Sequence, residues 1–287
     1  MLDTAVQCDA VGGEVARLQR TWGSAGCRFE YRAGRTRLAD LHQSGALKVR
    51  FPKTAGLAAA EAVILNTAGG LTDGDRLTFE ASVDDGASAS LTTQACERIY
   101  ASRGENAHIE SRLSVGKGAS AAWLPQETIL FDAARLRRRL EVDMATNSTL
   151  LAVESILFGR DAMGERLNGG AISDRWMVRR GGRLIHAEAL RIDEGRFGDL
   201  GRPALLADGK AISTILYVAP DASQVAESLR GLVQSLADPK SELGLSAWNE
   251  KLLLRIVAAD GFHLRRRLVP LLTALNRGLT LPRVWSL

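Results

Sequence analysis

Short runs of alternating apolar and charged side chains constrain the fold of this chain more than any other feature. Phe29 and Tyr31 alternate with charged neighbours, and residues 47–51 and 77–80 repeat the pattern. Because successive side chains of a β-strand point to opposite faces, each run predicts a strand with one buried and one solvated face. Such runs follow one another over residues 26–192, which predicts a mainly β body.

Glycine-containing turn sequences separate these runs. They are Asp73-Gly74, Asp84-Asp85-Gly86, Gly116-Lys117-Gly118, Asn168-Gly169-Gly170 and Gly181-Gly182. Many short strands joined by such turns are typical of an all-β sandwich, a barrel or a β-solenoid. No repeat of fixed length is visible, so the spacing alone does not distinguish a solenoid from the other two folds.

The pattern changes after about residue 215. Apolar residues recur at helical spacing in residues 222–237 and again in residues 262–277, and residues 251–259 between them predict a strand. The second helical segment carries an apolar stripe made of Leu264, Leu268, Leu271, Leu272 and Leu275. We therefore predict one domain over residues 1–287, with a β-rich body at about 20–215 and a C-terminal α/β part at about 216–287.

Charge and composition favour a cytoplasmic protein that binds neither nucleic acid nor membrane. The formal net charge is +4, and the basic runs 135–139 and 265–267 contain no aromatic residues on which bases could stack. No apolar stretch approaches the roughly 20 residues of a membrane span, and the start has no secretory pattern. The three cysteines form no CxxC pair, which fits a reducing compartment.

Established catalytic motifs are missing from the sequence. The glycine-rich segment 66–75 has neither the P-loop ending nor the dinucleotide spacing, and no G-x-S-x-G elbow occurs. Asp73 and Asp75 lie in a turn, where aspartates are common for conformational reasons as well as for binding a cation. Glu127 and Asp132 flank an apolar run, and paired carboxylates can act as acid and base. A β-rich hydrolase that uses these two residues therefore stays open as an alternative.

Two acids interrupt apolar runs and need a physical explanation. Glu154 and Glu188 lie in predicted strands, where an unpaired buried carboxylate costs several kcal/mol. Arg160 has the same strand parity as Glu154 and is its candidate partner, while His186 is expected on the same face as Glu188. A buried ion pair and a hydrated internal channel are both compatible with these acids.

Six blocks in the same order resemble the UreD family of urease accessory proteins, called UreH in some lineages. The blocks are residues 44–50, 69–75, 98–100, 123–127, 159–165 and 281–285. The resemblance covers most of the chain, and it implies a β-helical body with a few C-terminal helices. It also implies a non-catalytic, cytoplasmic scaffold for nickel delivery to urease.

The resemblance further implies partners and a path for nickel. The expected partners are apo-urease, UreF and, through UreF, the GTPase UreG, so the GTP chemistry lies outside this chain. No cofactor is expected to bind tightly, and nickel is expected to bind only transiently, because a carrier must release its ion. The residues implied for the internal passage are Asp75, Glu154, Arg160 and Glu188, with Glu154 and Glu188 as weak nickel ligands.

The second helical segment offers a candidate surface for a helical partner. Leu264, Leu268 and Leu272 form its apolar stripe, and Arg265 and Arg266 form a basic edge beside them. Ordinary packing of this stripe onto the sheet is the alternative interpretation, and the two can hold on different faces of the helix.

Overall fold

The computed structural model describes residues 19–53, 59–160, 163–207, 209–276 and 281–286. The body begins with β1 (Trp22–Arg32), β2 (Arg35–Gly45), β3 (Leu47–Arg50), β4 (Ala60–Asn66), β5 (Arg76–Val83), β6 (Ser88–Thr93), β7 (Glu97–Ile99), β8 (Ala107–Val115) and β9 (Ser120–Leu124). It continues with β10 (Thr128–Leu130), β11 (Arg135–Met144), β12 (Thr149–Phe158), β13 (Ala171–Arg180), β14 (Arg183–Ile192) and β15 (Ala211–Val218). The C-terminal part contains α1 (Ala222–Ser235), β16 (Ser241–Trp248), β17 (Lys251–Ala258) and α2 (Gly261–Leu275).

These strands form two sheets between which the chain alternates. The first sheet has the order β14-β13-β11-β8-β5-β1-β2, and the second has β16-β17-β15-β12-β9-β6-β4-β3. Beside this second path, β10 pairs with β12, and β7 pairs with β10. Strands β1, β5, β8, β11 and β13 are parallel in the first sheet. Strands β4, β6, β9 and β12 are parallel in the second. This coiling of the chain confirms the predicted β-solenoid-like body.

Four of the five predicted glycine turns connect one sheet to the other, whereas Gly181-Gly182 joins β13 to β14 within the first sheet. Gly86 N–H donates to the carbonyl of Lys117 at 2.9 Å, and the N–H of Lys117 donates to a carboxylate oxygen of Asp85 at 2.7 Å. A Cβ on Gly116 would lie 2.5 Å from that same Asp85 oxygen. Side chains are therefore excluded where one turn packs against the next.

Two hydrophobic cores lie on opposite faces of the second sheet. The first core fills the space between the sheets, where the rings of Phe79 and Trp123 stack at 5.7 Å. The second core lies between the second sheet and the two helices, where Tyr217 is fully buried. Because β12 has both faces covered, its sequence is a nearly continuous apolar run rather than an alternation.

The C-terminal elements follow the sequence prediction closely. Both helices and β17 are confirmed, and β17 forms a hairpin with β16, a strand that the sequence pattern did not predict. Asp260 begins α2 by accepting a hydrogen bond from the backbone N–H of His263 at 2.9 Å. Strands β15, β16 and β17 extend the second sheet of the body. The domain boundaries given above stay a prediction.

The predicted partner contact through the leucine stripe of α2 needs correction. Leu264, Leu268 and Leu272 have no exposed surface, because they pack into the second core against the sheet. Arg266 is exposed at the edge of the helix, and its guanidinium lies over the ring of the exposed Phe262. Packing onto the sheet is therefore the interpretation that holds for the leucines.

Asp73 organises the loop that follows β7. It is 4% exposed, and its carboxylate accepts hydrogen bonds from the backbone N–H groups of Arg103, Gly104 and Glu105 and from the hydroxyl of Ser102. These bonds lower the pKa of Asp73 although burial opposes the shift. The turn interpretation of this aspartate is thus supported by its contacts.

We predict that Asp73→Ala lowers the free energy of unfolding by about 2–4 kcal/mol, because several donors lose their common acceptor. Chemical denaturation of the variant and the parent measures this change. Asp143→Ala, at an exposed position on β11, is the control and is expected to change stability by less than about 0.5 kcal/mol. Equal effects of the two substitutions would contradict the structural role of Asp73.

Candidate functional site

A buried cluster of three charged side chains bridges the two sheets. Arg138 on β11 and Asp174 on β13 belong to the first sheet, whereas Glu154 on β12 belongs to the second. Arg138 Nη1 lies 2.5 Å from Glu154 Oε2, and Arg138 Nη2 lies 2.6 Å from Asp174 Oδ2. The three residues are only 5–7% exposed, so their charges are compensated mainly by one another.

Strand alternation explains why these polar groups face the core. Arg138 shares the inward parity of Leu136 and Leu140, and it is the direct register partner of Asp174 on the neighbouring parallel strand. Glu154 shares the parity of Ala152 and Ile156, which face the first core. The basic run 135–139 therefore does not form a continuous basic surface, because Arg138 points into the core.

Neutral hydrogen-bonding groups complete the surroundings of the cluster. Trp123 Nε1 donates to Glu154 Oε1 at 2.9 Å, and Arg138 Nη1 donates to the hydroxyl of Thr128 at 2.9 Å. A single guanidinium faces two carboxylates, so one negative charge stays uncompensated when both are ionised. Burial raises the pKa of Glu154 to about 7; Arg138 opposes this shift and Asp174 adds to it.

The first cavity lies against this cluster and has a volume of about 240 Å³. Trp123, Thr128, Arg138 and Glu154 belong to its wall, together with polar groups that include Asn66, Cys96, Glu97 and Gln126. Its lining also includes Gln94, Ala95 and Arg98, which are exposed, so the cavity reaches the protein surface.

The second cavity, of about 190 Å³, lies against the same cluster. Arg138 and Glu154 line it together with Asp174, Glu188 and Arg255. The side chain of Arg255 is 57% exposed, so this cavity also reaches the surface. Because Arg138 and Glu154 belong to both walls, their ion pair separates two cavities that each lead to solvent.

Glu188 lies in the second cavity and is paired with an arginine. Arg255 Nη2 is 2.6 Å from Glu188 Oε2, and the same oxygen is 3.9 Å from His186 Nε2. The predicted common face of His186 and Glu188 is therefore confirmed. Burial, with the charges of Lys251 and Arg255, lowers the pKa of His186 to about 4, so this imidazole is neutral near pH 7.

A further group of polar residues lies where α2 meets the first cavity. Glu127 is 2% exposed and accepts a hydrogen bond from Arg265 Nε at 2.7 Å, while the thiol of Cys96 lies 3.4 Å from its other oxygen. Burial and the charge of Glu127 raise the pKa of Cys96 to about 11. This thiol is therefore protonated near neutral pH and is a poor nucleophile.

Glu97 is a half-buried carboxylate of the first cavity. It accepts a hydrogen bond from Asn66 Nδ2 at 3.0 Å, and burial raises its pKa to about 7. Glu97 and Glu154 thus line one cavity, and the pKa values of both are raised mainly by desolvation. Carboxyl groups with such pKa values exchange protons near neutral pH.

Two of the four predicted passage residues lie at the cavities. Glu154 and Glu188 line them, whereas Asp75 and Arg160 belong to the lining of neither. Asp75 is buried and accepts hydrogen bonds from the N–H groups of Thr21 and Thr72. The roles of these four residues in a passage stay predictions.

The predicted ion pair between Arg160 and Glu154 is wrong. Arg160 forms two 3.0 Å contacts with Glu165, five residues further along the loop, because the chain turns after β12. Arg138 replaces it as the partner of Glu154. In the sequence, Arg138 can be identified by its parity with Leu136 and Leu140 in a predicted strand. The neighbouring arginines of the run conceal this signal.

The two carboxylates of the hydrolase alternative have separate structural partners. Glu127 is held by Arg265, whereas Asp132 accepts hydrogen bonds from the N–H groups of Asn168 and Gly169 at 2.6 and 3.1 Å. Among the described residues, no group of three or more histidine, cysteine, aspartate or glutamate side chains could hold a metal ion. No helix in this part of the chain is long and apolar enough to cross a membrane.

Comparison with known proteins puts this chain in the class of urease accessory proteins. The model of the UreD urease accessory protein family matches residues 21–286. The chain is 46% identical to urease accessory protein UreD of Rhizobium etli over 271 residues, which cover 94% of this chain and 97% of the relative. It is 44% identical to UreD of Chelativorans sp. over 272 residues, with 95% and 96% covered. The chain belongs to the UreD family, whose accessory role lies in urease maturation.

The raised pKa of Glu97 predicts how stability depends on pH. Between its ordinary value of 4.5 and about 7, the folded state binds more protons than the unfolded state, so the stability that Glu97 contributes falls as pH rises. Glu97→Gln does not titrate. We expect the variant to gain on the order of 2 kcal/mol in unfolding free energy relative to the parent between pH 4.5 and pH 8.

Urea denaturation at a series of pH values measures this difference. Glu242→Gln, at an exposed position on β16, is the matched control and should show no such trend. A pH-independent difference between Glu97→Gln and the parent would show that Glu97 titrates normally in the folded protein.

Proposed function

We propose that this chain is a non-catalytic scaffold for the insertion of nickel into apo-urease and that it supplies an internal passage for the ion. Membership of the UreD family supports the accessory role. The observation that supports the passage is the pair of cavities, each reaching the surface and both lined by Arg138 and Glu154. The proposed passage connects these two cavities and runs between the two sheets.

The chemistry of the route fits an ion that must be released. Nickel is held tightly by sets of nitrogen and sulfur donors, and such a set would retain it. Here the carboxylates are spread along the route, and arginines pair with Glu154 and Glu188 at distances of 2.5 and 2.6 Å. An arriving cation has to compete with an internal cation at each of these positions, which keeps its binding weak and transient.

The proposed partners are UreF, UreG through UreF, and the subunits of apo-urease, in the cytoplasm and without nucleic acid or membrane. The corrected contact surface on α2 is its exposed edge, formed by Phe262 and Arg266. Phe262 is 67% exposed, and an exposed aromatic ring beside an arginine is typical of protein interfaces. Arg265 is held by Glu127 and serves to anchor the helix.

We predict that Glu154→Gln and Glu188→Gln lower the nickel content of urease several-fold in cells that carry the variant, because each removes a negative charge from the route. Metal analysis of purified urease measures the effect. Glu242→Gln removes a charge at an exposed position of β16 and is expected to leave the nickel content unchanged.

Co-purification of the variants with UreF and apo-urease distinguishes a blocked passage from a lost complex. The proposal expects the complex to form with each variant while the nickel content falls. Full nickel loading with both substitutions combined would contradict the passage.

A further inference from the structure

We propose that Glu154 and Asp174 form a divalent-cation site that the guanidinium of Arg138 occupies at rest. Arg138 is then a gate between the two cavities, and a divalent cation enters the site by displacing it. The inference deepens the proposed function and rests on it for the identity of the cation as nickel. The site itself is defined by the contacts of three buried residues.

The guanidinium lies between the two carboxylates that a divalent cation would bind. Its two terminal nitrogens each contact a different carboxylate, at 2.5 Å from Glu154 Oε2 and 2.6 Å from Asp174 Oδ2. The hydroxyl of Thr128, at 2.9 Å from Arg138 Nη1, is a neutral oxygen donor at the same place. Carboxylate and hydroxyl oxygens from three strands therefore converge on one cationic group.

Two buried polar atoms of the cluster have no hydrogen-bond partner among the described residues. Asp174 Oδ1 is buried and has no hydrogen-bond partner among the described residues, although the residue is only 7% exposed. Arg138 Nε is likewise buried and without a partner there. A buried carboxylate oxygen without a donor is costly, and a cation bound beside it would remove that cost.

Charge also favours the exchange of Arg138 for a divalent cation. A guanidinium contributes one positive charge against two carboxylates, whereas a divalent cation matches both. Breaking a buried ion pair is strongly destabilising when it leaves a charge uncompensated. A cation that replaces the guanidinium between Glu154 and Asp174 leaves neither carboxylate uncompensated, so the displacement avoids this penalty.

Space for the displaced side chain exists in the first cavity. Arg138 belongs to its wall, and the cavity of about 240 Å³ is also lined by Glu110 and Ser111, which can accept hydrogen bonds from the guanidinium. Thr128 already accepts a bond from Arg138 on that side. A rotation of the side chain toward these acceptors opens the wall that separates the two cavities.

The test measures Ni²⁺ binding to the purified, untagged full chain by titration calorimetry. Arg138→Met removes the internal cation and is expected to bind one Ni²⁺ per chain at least roughly tenfold more tightly than the parent. Adding Asp174→Asn should abolish this gain. Arg137→Met is the matched control, because it removes the same charge from the adjacent, outward-facing position of β11 and should leave binding unchanged.

Arg138→Lys keeps the inference testable if Arg138→Met does not fold. The lysine preserves the positive charge, but its ammonium cannot bridge two carboxylates as the planar guanidinium does, so Ni²⁺ should displace it more easily. We expect binding several-fold tighter than in the parent. The inference is overturned if every folded Arg138 variant binds Ni²⁺ no more tightly than the parent and Arg137→Met.

Binding to the isolated chain separates this inference from the proposed function. One outcome is tighter Ni²⁺ binding in the Arg138 variants together with normal nickel loading of urease by Glu154→Gln. This outcome would support the cation site and contradict the proposed passage. The opposite outcome is unchanged Ni²⁺ binding in the Arg138 variants together with impaired nickel loading of urease by Glu154→Gln. It would contradict the cation site and its gate but support the proposed passage.

Discussion

Arg138 contacts two carboxylates that come from different sheets, and the interior of the protein depends on this arrangement. Its guanidinium joins Asp174 of the first sheet to Glu154 of the second across the core between them. Removing Arg138 would leave two buried carboxylates without a counter-charge, which is among the most destabilising changes in a protein core. The cluster therefore fixes the distance between the sheets at the point where the two cavities meet.

The solenoid-like fold makes such a cluster possible at this position. Parallel strands in register bring Arg138 beside Asp174, and the facing sheet supplies Glu154 with the indole N–H of Trp123. Strand β12 is covered on both faces, so polar residues in its middle cannot reach solvent except through a cavity. The same packing that buries Glu154 thus places it in the wall of both cavities.

Sequence reasoning predicted the elements better than the contacts between them. Alternation and helical spacing are local, and they identified the β body, β17 and both helices. The sequence also indicated that Glu154 is buried and Glu188 half-buried, because each interrupts an apolar run. The partner of Glu154 was assigned wrongly because Arg160 is near in sequence, whereas Arg138 reaches it only through the pairing of two sheets. The prediction that the leucines of α2 contact a partner protein was wrong for a similar reason. An apolar stripe shows that one face of a helix is buried, but it does not show whether the sheet or a partner buries it.

A double-mutant cycle between Arg138 and Glu154 tests the central claim most directly. The unfolding free energies of the parent, Arg138→Met, Glu154→Gln and the double variant give the coupling between the two side chains. We predict a coupling of about 2 kcal/mol or more, because Arg138→Met strands two buried carboxylates when Glu154 is present but only Asp174 when residue 154 is glutamine. Effects that add to within about 0.5 kcal/mol would contradict the account.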